Sequence, residues 1–144
     1  MINNSTDRRT FIKQTCLACI GITAMGSLIE SCGAPKSIFR ATIYQNAVTV
    51  PKLQFATTNC VIVRPKGASF DIALIKENER YKAIEMRCTH NDIPLSYTGK
   101  NFTCNAHGSI FDLQGNVVQE PAVKPLTNYQ TSIEENAILI HLHI

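Results

Sequence analysis

The sequence contains no tryptophan, and its seven glycines and six prolines are thinly spread. Low-complexity tracts and collagen-like repeats are thereby excluded. No internal repeat is visible. Charge is scarce as well: 17% of residues are charged, and the formal net charge is +3. Loss of the first 32 residues as a leader would take Arg8, Arg9 and Lys13 together with Asp7 and Glu30, so +3 becomes +2. That is no basic patch, which argues against nucleic acid as a partner. A long apolar run is also missing. The uncharged stretch 14–29 has 16 residues and includes Gln, Thr and Gly, short of the ~20 apolar residues that a spanning helix needs. There is no Ser-His-Asp set, no carboxylate pair and no phosphate loop, so nothing points to independent catalysis.

What is present is one domain's worth of ordinary globular sequence, 144 residues with 44% hydrophobic content. After the first forty residues no amphipathic helix is evident. Short β-rich runs at 42–50, 60–64, 70–76, 80–86, 101–104, 117–118, 129–133 and 137–143 alternate with turn signals such as Pro65-Lys66-Gly67 and Gln114-Gly115-Asn116. This spacing predicts an antiparallel all-β sandwich or barrel. His141 and His143 fall on one face by the period of two. Two histidines make an incomplete metal site, so a solvent-facing edge is expected there.

The N-terminus reads as an address rather than as structure. Asp7-Arg8-Arg9-Thr10-Phe11-Ile12-Lys13 precedes the modest apolar stretch, the layout of a signal peptide. The paired arginines resemble a twin-arginine export signal, with Asp7 where serine is usual. A general-secretion signal with two chance arginines, or an uncleaved anchor, remains open. Ile29-Glu30-Ser31-Cys32-Gly33 resembles a lipoprotein cleavage box, in which Cys32 would become acylated and tether the chain to a membrane. The expected division is an export signal over 1–32, a linker over 33–40 and a domain over 41–144, on the periplasmic side of a bacterial membrane. Cys16 and Cys19 would leave with the leader, and Cys60, in an apolar strand, is expected to be a buried, inert thiol.

Four residues carry the chemistry. Cys88 and His90 stand in Arg87-Cys88-Thr89-His90, and Cys104 and His107 in Cys104-Asn105-Ala106-His107-Gly108-Ser109, with thirteen residues between His90 and Cys104. Two thiolates and two imidazoles make a full ligand set for a metal centre. Structural zinc in an interaction domain satisfies it by ligand type. A [2Fe–2S] cluster, with both cysteines on one iron and both histidines on the other, satisfies it equally.

The pattern C-x-H … C-x2-H, with Gly108 and Ser109 following, resembles the Rieske family. The likeness continues through Phe111-Asp112 and into Glu120-Pro121-Ala122-Val123-Lys124-Pro125-Leu126, which resembles the proline loop of that family. The resemblance implies an all-β domain with a cluster-binding subdomain of two loops plus this third loop. It implies one [2Fe–2S] cluster, with Cys88 and Cys104 on the inner iron, His90 and His107 on the outer iron, and Ser109 beside it. It also implies electron transfer, as a small exported carrier or an electron-transfer subunit, with a redox partner protein docking at the His90/His107 edge. A subunit of a quinol-oxidising complex is the third reading. Neutral imidazoles in place of two thiolates remove two negative charges, which lifts the potential into a window of roughly −150 to +300 mV. Respiratory members of the family cross-link the two loops with a disulfide and place a tyrosine near the cluster. Ile93 and Ala106 stand at the cross-link positions here, and Phe111 at the tyrosine position. These departures resemble the ferredoxin-type members and imply a potential in the lower part of that window.

Overall fold

The computed structural model describes residues 37–142; the expected leader, Cys32 and His143 lie outside them. Seven strands close a barrel in the order β1-β2-β11-β10-β5-β4-β3. They are β1 (Ser37–Tyr44), β2 (Ala47–Pro51), β3 (Cys60–Lys66), β4 (Ile72–Glu77), β5 (Arg80–Glu85), β10 (Asn128–Ile133) and β11 (Ala137–His141). Between β5 and β10 the chain leaves the barrel to build a second sheet from β6 (Ser96–Tyr97), β7 (Phe102–Thr103), β8 (Ile110–Phe111) and β9 (Val117–Gln119). Among the described residues no helix is long and apolar enough to cross a membrane.

The barrel corrects three expectations. The single strand over 42–50 is a hairpin, broken at Gln45 and Asn46, whose φ values of 48° and 58° are those of the tight turn that matches strand twist. Residues 37–40, expected in a linker, are already strand, because Ser37–Thr42 pair in parallel with Val61–Lys66. That closing pair is also the one departure from antiparallel pairing in the barrel. His141 Nε2 lies 2.8 Å from Ser132 Oγ in a solvent-exposed contact between β11 and β10.

The continuous apolar run Cys60-Val61-Ile62-Val63 is explained by burial on both faces. Side chains alternate across a strand, so Val61 and Val63 enter the barrel with Ile72, Leu74, Ala83, Ile138 and Ile140. Cys60 and Ile62 face outward, with Ala73, Ile75 and Ile84, against the small sheet. There they meet Phe102, Phe111, Leu95, Cys88 and Cys104 in one core. The barrel wall is thus the floor on which the cysteine loops are built. Each such buried aliphatic side chain contributes about 1.5–3 kcal/mol.

Cys60 is 6% exposed, and burial pushes its thiol from the ordinary 9.0 up to about 11, against the opposing hydrogen bond with Tyr97. The fold therefore favours the neutral thiol. Its contribution is complete below the ordinary thiol pKa and is lost as pH rises through about 11. Denaturant titrations across pH 9 to 11 should show stability falling less steeply in Cys60→Ala than in the natural protein.

Candidate metal centre

Both motif halves are built as the same turn. After β5, Cys88 N–H donates to Ile93 O at 2.8 Å, and Asp92 N–H returns to Cys88 O at 2.9 Å. After β7, Cys104 N–H donates to Ser109 O at 2.9 Å, and Gly108 N–H returns to Cys104 O at 3.0 Å. In each loop the fourth residue after the cysteine has positive φ, 51° at Asp92 and 82° at Gly108. Glycine is the residue freest to adopt that backbone, and aspartate is among the few side-chain-bearing residues that tolerate it. Arg87 steadies the first loop, its Nε 2.9 Å from Glu85 Oε2 and its Nη1 3.7 Å from Asp92 Oδ1.

The paired turns sort the four candidate donors by chemistry. Cys88 and Cys104 are 1% and 2% exposed, and their side chains are in hydrogen-bond contact with each other. Burial works to raise the Cys104 thiol pKa. Hydrogen bonds from the backbone N–H of Ala106, the side chain of Cys88 and the backbone N–H of His107 outweigh it, and the pKa falls. These donors suit a thiolate held inside the protein. His90 and His107 are exposed, with ring centroids 5.2 Å apart and planes at 88°. Among the described residues no three Cys, His, Asp or Glu side chains gather as one mononuclear site requires. A buried thiol pair under an exposed imidazole pair fits two metal atoms, one for each pair, better than one tetrahedral zinc.

The third loop clasps the other two. Thr89 Oγ1 donates to Lys124 O at 2.6 Å, joining the first cysteine loop to the proline loop. Ser109, fully buried, accepts from Ala122 N–H at 3.0 Å, joining the second. Gln119 Nε2 also donates to Gly108 O at 2.8 Å. Thr89 and Gln119 were not legible as functional in the sequence. Thr89 lies between two candidate donors, but nothing local reveals its partner 35 residues away. Ile93 packs against the shared core, whereas Ala106 is exposed, so a mixed set of hydrogen bonds and packing joins the loops where a disulfide is absent.

Phe111 is fully buried, opposite Phe102. A tyrosine here would add a hydroxyl donor beside the cysteine loops. Phe111→Tyr is expected to raise the reduction potential by stabilising added negative charge; potentiometric titration of both proteins checks this.

The family model for the Rieske [2Fe-2S] domain matches residues 49–130, from β2 to β10 and including all three loops. No curated protein matches the chain. A ferredoxin–oxygenase complex of carbazole 1,9a-dioxygenase includes a chain 20% identical, with a TM-score of 0.52, over 68% of this chain and 94% of that one. The plasma membrane Rieske protein PetC3 of the cyanobacterium Synechocystis PCC 6803 is also 20% identical, with a TM-score of 0.46, over 66% of this chain and 85% of that one. The ferredoxin of carbazole 1,9a-dioxygenase from Nocardioides aromaticivorans IC177 gives 20% and 0.41, over 51% and 77%. At these identities the solved structures speak for the fold alone. The family match spans more than half of the chain, and with it the all-β architecture, the [2Fe–2S] cofactor and electron transfer as the general role follow: the chain belongs to the Rieske [2Fe-2S] domain family.

Proposed function

We propose that Cys88 and Cys104 hold the inner iron of a single [2Fe–2S] cluster and His90 and His107 the outer iron, and that the protein is a small electron carrier or electron-transfer subunit. The observation that carries this reading is the sorting of donors, with buried thiols beneath exposed imidazoles. When bound, the cluster supplies a one-electron couple. The chain supplies the rest. The cysteine pair is shut away from water by Leu95, Phe102 and Phe111. Ser109 and Thr89 hold the proline loop across both turns. The two imidazole edges are left for a partner. The fold's likeness to a chain from a complex of a ferredoxin with an oxygenase supports a protein redox partner in general.

The same reading places the domain outside the cytoplasm. It rests on Arg8-Arg9 and the apolar stretch after them, with Cys32 as the point of a lipid tether. Mass spectrometry of the mature N-terminus tests this: a chain starting at an acylated Cys32 supports it, and an intact leader overturns it. For the centre itself, the test is EPR of the dithionite-reduced protein with iron and sulfide analysis. A signal appearing on one-electron reduction, with iron and sulfide in equal amounts, is expected. A colourless, EPR-silent protein carrying zinc would overturn the reading.

A further inference from the structure

A carboxylate stands where the barrel has no need of charge. Side chains alternate across β5, and Tyr81 and Ala83 pack into the barrel core. Glu85 is next in that series, at the mouth of the barrel, with a side chain only 15% exposed. A carboxylate so placed costs free energy unless its oxygens are bonded. Here each oxygen has a partner. Tyr129 on β10 donates its hydroxyl to Glu85 Oε1 at 2.9 Å, and Arg87 Nε lies 2.9 Å from Glu85 Oε2. Burial first, and the bond to Glu85 after it, push the Tyr129 pKa up to about 12, so the hydroxyl remains a donor.

The contacts continue out of the barrel. Arg87 forms the neck of the first cysteine loop, its backbone bridging Pro94, and its Cζ lies 5.8 Å from the centre of the Phe70 ring. Its Nη1 is 3.7 Å from Asp92 Oδ1, on a side chain 75% exposed, where water screens the attraction. Asp71, whose carbonyl accepts from Met86 N–H at 2.8 Å, is itself engaged by Arg64 at 2.6 Å. The firm hold on the guanidinium next to Cys88 therefore comes from inside the barrel. A largely buried ion pair is a poor source of net stability, so what this one gives the fold is a fixed place for Arg87.

Building on the function proposed above, we infer that Glu85 and Tyr129 are positioning residues for the His90 loop, which act through Arg87 to hold the loop and a cation beside it, and so help to set the reduction potential. The cluster gains one negative charge on reduction. A fixed cation favours that state and a carboxylate opposes it, so Arg87 and Glu85 act with opposite signs.

The test compares Glu85→Gln, Arg87→Gln and Tyr129→Phe with the natural protein. Potentials are titrated at fixed pH and ionic strength, and hydrogen exchange of the oxidised proteins is read on peptides covering 86–93 and 104–109. The one-electron equilibrium constant is expected to shift about threefold or more toward reduction in Glu85→Gln, and as far toward oxidation in Arg87→Gln. Tyr129→Phe changes no charge. It should speed exchange in 86–93 about threefold or more, as loss of one hydrogen bond allows, and leave 104–109 within about twofold. The control is Thr131→Val, which removes another hydroxyl bond from β10 to β5, to Tyr81 O at 2.8 Å, and should alter neither readout. The inference is overturned if Glu85→Gln and Arg87→Gln move the potential the same way or not at all, or if Tyr129→Phe loosens both loops alike or matches Thr131→Val. If Arg87→Gln holds no cluster, the direction of the shift in Glu85→Gln decides the effect of charge. If the natural protein shows no one-electron couple, the electron-carrier reading fails instead, and exchange in Tyr129→Phe still decides whether the barrel positions the loop.

Discussion

Cys104→Ser should give a folded barrel without colour, its iron falling from about two atoms per chain to near none. Serine keeps the size of the side chain but does not ionise at neutral pH. The Ala106 and His107 N–H groups that favour a thiolate at this position would then face a neutral hydroxyl. The structural consequence should be uneven. The barrel has its own core of Val48, Val50, Val61, Leu74, Ile138 and Ile140, independent of the cysteine loops. The small sheet consists of strands of two or three residues, too short to stand without what they enclose. The turns that carry the candidate donors lie just before β6 and between β7 and β8. Loss of metal should therefore free the amides of Phe102, Thr103 and Ile110 to exchange while those of Ala73, Leu74 and Ile84 stay protected. Hydrogen exchange measured residue by residue checks this. Uniform loss of protection across both sheets would show that the barrel depends on the centre, contrary to the two separate cores.

The second large effect is expected from releasing the clasp. Thr89→Val removes the hydroxyl that reaches Lys124 O, and Ser109→Ala strands the Ala122 N–H in a buried position. The first loss is worth about 1 kcal/mol and the second about 1–3 kcal/mol, because an unpaired buried donor costs more than an unmade bond. Together, about 2–4 kcal/mol would shift the proline loop toward an open state by more than tenfold. The double variant should lose its iron to a chelator at least tenfold faster than the natural protein, with each single variant between. Equal rates in all four proteins would mean that packing alone, through Ala122 and Leu126 in the shared core, holds the loop shut.

The parts of the molecule legible in the sequence were those written in local chemistry. C-x-H and C-x2-H marked the four candidate donors, and the apolar run at Cys60–Val63 signalled a strand with a buried thiol. Other features were invisible because their causes are tertiary. Ser37–Arg40 look like linker and become strand only because β3 offers a parallel edge. Gln45-Asn46 turn a hairpin without a glycine to mark it. β6 and β8, two residues each, carry no period to detect. The shared turn of the two cysteine loops was half hidden: Gly108 advertises its positive φ, while Asp92 adopts the same backbone with no glycine to announce it. The clasp was hidden most completely, since Thr89 and Lys124 are 35 residues apart.

The central claim, that two thiolates hold one iron and two imidazoles the other, is tested most directly by pulsed EPR of the reduced protein grown with 15N-labelled histidine. The chain has four histidines, and strong coupling to the nitrogens of two, His90 and His107, is expected. That coupling should halve in His90→Cys and again in His107→Cys, wherever those variants keep a cluster. A reduced cluster with no strongly coupled histidine nitrogen, or coupling that survives replacement of both residues, would contradict the assignment.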